Sequence, residues 1–182
     1  MTERPPYLPG DATLDADVAA MIRVDHAGEY GAVRIYDGQL AVARRGRARD
    51  EISRMAAQEH AHLARFDELV RERRVRPTVL QPLWHAAGFA LGAATALLGE
   101  RAAMACTVAV EEVIDAHYQS QLDRLGDAEP ALAATIREFR DDELRHRDAA
   151  LALGATEAAG YELLSAAIKA GSRLAIWLST RL

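Results

Sequence analysis

The chain has 182 residues, enough for one domain with a sizeable core, and its net charge of −5 argues against a nucleic-acid-binding protein. Its single cysteine, Cys106, excludes an intramolecular disulfide and a zinc site built from cysteines, which suits a reducing compartment. Half of the residues are hydrophobic and only 5% are aromatic. Abundant alanine with leucine, glutamate and arginine predicts an all-α fold.

The predicted elements follow one another as helices separated by glycine and proline. Residues 1–12 are predicted to be an unstructured arm without the pattern of a secretory signal, and residues 13–182 to be a single domain. Asp11 or Thr13 is placed to cap the first helix. The predicted helices cover about 14–43, 48–74, a crossover within 77–99, 100–125, 130–153 and 156–180.

A basic run at 44–49, beside the first turn, fits either a solvated loop or a contact with an anionic membrane surface or cofactor. The last helix is apolar with scattered charge, and it can pack on the bundle, on lipid or on another subunit.

The crossover at 77–99 has no aspartate, glutamate, lysine or arginine. As a helix its apolar part would extend about 24 Å, which is shorter than the roughly 30 Å hydrocarbon core of a bilayer. A membrane-spanning helix is therefore disfavoured. Two interpretations stay open. The helix is either buried in the protein, or it lies in a membrane interface and covers the entrance for an apolar substrate.

One pattern of acidic and imidazole residues occurs twice, a single glutamate followed by Glu-x-x-His. The spacing of three places both members of each pair on one helix face. Inward glutamates from two helices and Glu-x-x-His from two others form the ligand set of di-iron carboxylate bundles. The alternative is solvated surface charge. The six candidate ligands are Glu29, Glu59, His62, Glu111, Glu143 and His146.

These mixed oxygen and nitrogen donors suit two iron or manganese ions better than a closed structural zinc site. Each half of the pattern is expected to hold one ion, with Glu59 and Glu143 bridging. Two divalent cations would neutralise four carboxylates whose unpaired burial is very costly. Asp25 and Asp115, each one turn from a single glutamate, are predicted to accept hydrogen bonds from ligand histidines.

The pattern is part of a weak internal repeat. Superposing Glu29 on Glu111, an offset of 82 residues, also places Tyr36 on Tyr118. The tyrosines can bond to ligands, relay electrons or pack in the core. The two Glu-x-x-His pairs superpose with an offset of 84, and the difference fits inside the loops. The chain is therefore predicted to form two helical hairpins packed about a pseudo-twofold axis as a four-helix bundle.

Three further histidines point away from the ligand faces. His26 and His60 are expected at the surface or against loops, and His117 is kept as a functional candidate.

Five segments of the sequence resemble one family. They are Arg23-Val-Asp-His-Ala-Gly-Glu29-Tyr-Gly-Ala, Gln58-Glu-His-Ala-His62, Cys106-Thr-Val-Ala-Val-Glu-Glu112 with His117-Tyr118 following, Phe139-Arg-Asp-Asp-Glu-Leu-Arg-His146, and Ala175-Ile-Trp-Leu-Ser-Thr-Arg-Leu182. Together they are similar to the demethoxyubiquinone hydroxylase family, and the similarity extends from about residue 20 to the end. All six candidate ligands match the family by residue type.

The resemblance implies a ferritin-like bundle with an apolar crossover helix and a C-terminal helix. It implies a di-iron monooxygenase of ubiquinone biosynthesis that hydroxylates the ring of demethoxyubiquinol, with dioxygen as oxidant and NADH as electron source. Peripheral membrane association, a polyprenyl quinol substrate and, in some lineages, a lipid-binding accessory protein are also implied. A homo-oligomer stays open. Because no targeting stretch is seen, we expect a bacterial enzyme on the cytoplasmic face of the inner membrane.

The resemblance further implies roles for four residues outside the ligand set. Arg23, His117, Tyr118 and Arg181 match family positions associated with quinone binding or electron delivery. The sequence is also compatible with two other functions. One is another di-metal bundle, such as a ferritin-like iron store or a manganese catalase, and the other is a non-enzymatic helical membrane adaptor.

Overall fold

The computed structural model describes residues 14–182, so the predicted arm at 1–12 and the caps Asp11 and Thr13 lie outside the described residues. Within that range the chain forms six α-helices and no strand, which confirms the all-α prediction. The helices are α1 (Leu14–Val42), α2 (Arg47–Glu72), α3 (Gln81–Leu97), α4 (Glu100–Leu125), α5 (Pro130–Ala152) and α6 (Tyr161–Arg181), with a short 3₁₀ turn at Ala155–Glu157.

The predicted start of the last helix, about residue 156, is wrong. Gly154 and Gly160 have positive φ angles of 82° and 68°, and the residues between them make the 3₁₀ turn. A left-handed glycine ends an α-helix, so α6 begins only at Tyr161.

Two helical hairpins build the bundle. α1 packs against α2, α4 packs against α5, and α2 also contacts α5. The remaining two helices cover α1 and α4. α3 lies along α1, and α6 packs on both α4 and α1. The apolar side of the bundle, α1 and α4, is therefore covered by α3 and α6.

Glycine allows α3 to lie unusually close to α1. A Cβ on Gly38 would be 2.1 Å from the carbonyl oxygen of Phe89, and a Cβ on Gly92 would be 1.9 Å from that of Ile35. Gly38 and Gly92 thus permit backbone contact. A Cβ on Gly28 or Gly31, by contrast, would meet nothing within 4 Å, so close packing explains only part of the glycine enrichment of α1.

α3 buries one face and exposes the other. Gly92 and Thr95 are buried toward the bundle, whereas Leu97 and Leu98 are 74% and 73% exposed. No helix in residues 14–182 is both long enough and apolar enough to cross a membrane. The crossover is therefore a half-buried helix with an apolar outer face.

Arginine side chains bind the helix ends together. Arg49, from the basic run, donates to the carbonyl oxygens of Leu40 and Ala43 and so satisfies the C-terminus of α1. Arg23 of α1 donates to the carbonyl oxygens of Arg76 and Thr180, at 2.9 and 3.3 Å. The end of α6 is consequently fixed against α1 and the α2–α3 loop.

Candidate metal centre

All six candidate ligands converge in the centre of the bundle, and each side chain is buried, with at most 3% of its residue exposed. Their ligand atoms form two overlapping groups in which all atoms lie within 4.8 Å of one another. Glu59 and Glu143 belong to both groups, Glu29 and His62 to the first only, and Glu111 and His146 to the second only.

Helical periodicity explains why four separate helices deliver these side chains to one place. On α2 the buried positions recur every three or four residues, and Glu59 and His62 lie between Met55 and Phe66 on that apolar stripe. On α5 the same spacing places Glu143 and His146 among buried positions. The ligands are thus held by the faces that fold inward to bury the core.

Both histidines present Nδ1 to the glutamates. His62 Nδ1 lies 3.3 Å from Glu143 Oε1 and 3.5 Å from Glu29 Oε2. His146 Nδ1 lies 3.1 Å from both Glu59 Oε1 and Glu143 Oε2. Nδ1 is therefore the atom that would ligate a metal, and Nε2 of each ring faces outward.

The outward nitrogens are held by Gln58 and Asp142, which are not among the candidates predicted from the sequence. His62 Nε2 lies 3.2 Å from Asp142 Oδ2, and His146 Nε2 lies 3.1 Å from Gln58 Oε1. Gln58 Nε2 also donates to Asp142 Oδ1 at 2.9 Å, which closes a network between α2 and α5. Such outer partners fix the ring tautomer and orientation.

The prediction that Asp25 and Asp115 anchor the ligand histidines is wrong. Asp25 accepts a hydrogen bond from Gln121 and lies 3.3 Å from His117, and Asp115 accepts from Arg140. Neither reaches a ligand ring because the histidines turn Nε2 toward the α2–α5 side. The available sequence signal was that Gln58 and Asp142 directly precede the glutamate of each Glu-x-x-His pair.

The two tyrosines of the repeat hydrogen-bond to ligand glutamates across the bundle. Tyr36 on α1 donates to Glu111 Oε1 at 2.8 Å, and Tyr118 on α4 donates to Glu29 Oε1. Each hairpin thus supplies the hydroxyl that orients the other hairpin's single glutamate. This exchange follows the pseudo-twofold relation between the halves.

Burial and mutual repulsion disfavour the ionised form of Glu59, Glu111 and Glu143 when no cation is present. Burial, followed by the neighbouring glutamates, raises the pKa of Glu59 and Glu111 well above the usual value. Burial also raises the pKa of Glu143 to about 7, although His62 opposes the shift. Against burial, Glu143 and Glu29 raise the pKa of His62 to about 11.

The donor set fits a pair of divalent cations. Within the described residues, one ligand atom in each of five of the six side chains is buried without a hydrogen-bond partner: Glu29 Oε2, Glu59 Oε1, His62 Nδ1, Glu111 Oε2 and Glu143 Oε1. Buried polar atoms without partners are rare and costly in folded proteins. Cations at the two groups would use these orphaned atoms and cancel the carboxylate charge.

The other predicted residues lie in varied surroundings. His117 is partly exposed beside Asp25, and Arg181 lies over the ring of Trp177 at 4.4 Å near the end of α6. Roles in quinone binding or electron delivery stay predictions for all four residues, Arg23, His117, Tyr118 and Arg181. The expectation that His26 is a surface residue is wrong, since it is 4% exposed and lies 3.0 Å from Asp67.

Removing the carboxylate behind His62 is expected to weaken metal binding without unfolding the bundle. In Asp142→Ala, His62 would lose its outer partner, and the affinity for a divalent cation should fall about 10- to 100-fold. Titration with Co²⁺ measures this. The control is Arg145→Ala, which removes only the exposed partner of Asp142. Equal Co²⁺ affinity in Asp142→Ala and wild type would contradict the anchoring role.

Comparison with known proteins identifies the family. The family model described as ubiquinone biosynthesis protein COQ7 matches residues 16–179. A 3-demethoxyubiquinol 3-hydroxylase of Rhodospirillum rubrum is 61% identical over 175 residues, covering 96% of this chain and 82% of that protein. The human NADPH-dependent 3-demethoxyubiquinone 3-hydroxylase, mitochondrial, is 53% identical, with 93% of this chain and 82% of that protein covered.

A similarly named mitochondrial protein of Caenorhabditis elegans is 39% identical over 94% of both chains. The similarity therefore extends through the bundle and both covering helices, not only through the metal-ligand pattern. On this basis, the chain belongs to the ubiquinone biosynthesis protein COQ7 family.

Proposed function

We propose that this protein is a di-iron monooxygenase that hydroxylates the ring of demethoxyubiquinol in ubiquinone biosynthesis. The observation that carries the proposal is the buried convergence of four glutamates and two histidines, in a chain whose relatives are named as hydroxylases of this substrate. The adaptor alternative needs the glutamates on the surface, whereas they are buried. A storage or catalase function has no counterpart in the names of these relatives.

The protein's own residues would hold and orient the metals. Glu59 and Glu143 would be shared by both ions, while the remaining four ligands would serve one ion each. Two iron ions held in this way would supply the activation of dioxygen for attack on an electron-rich ring. Tyr36 and Tyr118 would keep the single glutamates in place through their hydroxyl groups.

The apolar side of the site is the proposed location of the quinol ring. A small cleft lined by Ala32, Ile35, Thr107 and Val110 reaches Tyr36 and Glu111. It lies next to a buried cluster in which Leu91 of α3 and Ile168 of α6 cover α4. The cleft is too narrow for a water molecule in this structure, so a ring would enter only as these side chains move apart, and it would then be kept from water.

The electrons are proposed to come from a reduced nicotinamide nucleotide. NADH was expected from the resemblance, while the human and Dictyostelium relatives are named as NADPH-dependent. Both nucleotides therefore belong in the assay. Iron is proposed over manganese because the expected chemistry is oxygen insertion.

Product analysis tests the proposed function. Iron-loaded protein given a short-tailed demethoxyubiquinol analogue, ¹⁸O₂ and NADH or NADPH should form a product with one labelled hydroxyl group. Glu143→Ala should form none, and cells that depend on this variant should accumulate demethoxyubiquinone. A wild-type protein that holds two iron ions but yields no labelled product would overturn the proposal.

We also propose peripheral association with a membrane, on the cytoplasmic face of a bacterial inner membrane. Its support is the apolar outer face of α3 and α6 and the high identity to a bacterial relative. A lipid-binding accessory protein or a second copy of the chain would cover the same face. The exposed apolar side chains on it are Leu83, Leu97, Leu98, Leu163, Leu174 and Trp177.

A single charge on this face is expected to weaken membrane binding. Leu97 is 74% exposed, so Leu97→Glu should leave the fold intact and lower the liposome-bound fraction roughly tenfold, since burying one leucine contributes about 1.5–3 kcal/mol. Leu91 is less suitable because it packs against a buried cluster. Leu151→Glu on α5 is the control. Unchanged sedimentation of Leu97→Glu with liposomes would contradict the proposed surface.

A further inference from the structure

A cavity of about 390 Å³ lies between α2 and α5, on the side of the bundle opposite the apolar covering helices. We name it the α2–α5 cavity. Two of its lining residues, Ala61 and Phe139, are apolar. The others carry polar or charged groups, and they are Gln58, His62, Arg65, Thr135, Glu138 and Asp142.

The cavity ends at a ligand of the metal centre. His62 Nε2 is on the cavity side, 3.2 Å from Asp142, while His62 Nδ1 faces Glu143 and Glu29 on the other side of the same ring. The ring stacks on Phe139 with 3.9 Å between centroids. A swing of this one side chain would therefore connect the cavity with the glutamates.

The metals need a path because the ligands are buried. A route past α3 and α6 would take an ion through the apolar cluster around Cys106 and Ile168, and moving a charge through such surroundings is very costly. The α2–α5 cavity offers oxygen donors instead. Glu138 is exposed and makes no ion pair within residues 14–182, and Asp142 is 13% exposed at the inner end. Hydrated divalent cations prefer carboxylate and carbonyl oxygen.

We propose that the α2–α5 cavity is the entrance through which divalent metal ions reach the centre, with Glu138 attracting the hydrated ion and His62 as the gate. The inference rests on the proposed function, since it assumes that the centre holds metal. Arg65, which also lines the cavity, is paired with Glu68 and Glu72, so its charge is largely compensated. The quinol would approach from the opposite, apolar side.

The test follows Co²⁺ uptake by the chelator-stripped, full-length protein in a stopped-flow instrument, using the visible absorption of bound cobalt. Ala61→Phe places a ring in the cavity and should slow uptake at least tenfold, with about two ions still bound at the end. The matched control is Ala64→Phe, at another exposed alanine of α2 that does not line the cavity, and it should load at the wild-type rate.

A second pair of variants tests the charge. Glu138→Gln should slow uptake about threefold at low salt and lose part of the salt dependence, whereas Glu162→Gln on α6 should change neither. Wild-type uptake rates in both Ala61→Phe and Glu138→Gln would contradict the proposed entrance without contradicting the proposed metal centre. A lower final cobalt content in these variants would also overturn it, since the effect would then be on affinity. Wild-type protein that binds no cobalt would overturn both proposals.

Discussion

Glu143→Gln is expected to leave the protein without tightly bound metal, whereas Glu29→Gln should retain about one ion per chain. Glu143 supplies a ligand atom to both groups, while Glu29 supplies one to the first group only. A neutral amide at a shared position deprives both ions of one negatively charged ligand. The binding free energy of the metal ions should then weaken by several kcal/mol. Hydroxylation by Glu143→Gln should consequently fall at least about 1,000-fold.

Metal analysis of the purified variants measures this difference directly. Glu59→Gln should behave as Glu143→Gln does, since Glu59 is the other shared residue, and Glu111→Gln should behave as Glu29→Gln does. Glu157→Gln, an exposed residue of the 3₁₀ turn, is the control and should keep two ions. Loss of the same number of ions in all four ligand variants would show that the sharing suggested by the geometry is incorrect.

Removing the metal ions should lower the melting temperature by about 8–16 °C at neutral pH. A ligand at about 1,000 times its dissociation constant stabilises a fold by about 4 kcal/mol, which corresponds to about 2–4 °C for each kcal/mol in a domain of this size. Without cations the buried carboxylates and His62 lack partners for their ligand atoms. Scanning calorimetry before and after chelation measures the shift.

The metal-free protein should also lose stability as pH rises from 6.5 to about 8.5. Its fold raises the pKa of His62 from 6.5 to about 11 and that of Glu143 from 4.5 to about 7, so both favour the protonated state. A group whose pKa is higher in the folded than in the unfolded protein stabilises the fold at pH values below its unfolded pKa. This contribution is lost as the pH rises through the folded pKa. Glu59 and Glu111 act in the same direction. Burial lowers the pKa of His146 from 6.5, so that group opposes the trend, but only near the lower end of this range.

The metal-loaded protein should show the opposite trend, because ligands must be deprotonated and metal binding therefore strengthens with pH. The difference in melting temperature between the two forms should widen across this pH range. A metal-free protein whose melting temperature stays constant or increases from pH 6.5 to 8.5 would contradict the protonation states derived from burial.

Periodicity was sufficient to predict the helices and the convergence of their ligand faces. The predicted bounds of α1, α2, α4 and α5 differ from the observed ones by no more than about two residues, since caps, glycine and proline act locally. The anchors of the ligand histidines could not be predicted in this way. Asp142 holds His62 and Gln58 holds His146 across a helix pair, so the contacts depend on how α2 and α5 meet.

The surroundings of individual residues also depend on helix packing and not on the local sequence. The position of His26 around α1 predicts a surface residue, yet Asp67 of α2 lies against it and the ring is buried. The crossover has no charged residue on any face, so its sequence does not show which face is buried. Its close packing on α1, through Gly38 and Gly92, determines that face. Neither outcome is encoded within one helix.

The helices, the six metal-ligand candidates and the two-hairpin repeat follow from the amino-acid sequence alone, because they depend on spacing along one chain and on residue chemistry. Helix packing is needed to show which nitrogen of each histidine faces inward, which tyrosine bonds to which glutamate and where the polar cavity opens. Those features arise between helices that are distant in sequence. Their geometry is fixed by how the packed faces meet, which no local pattern of residues specifies.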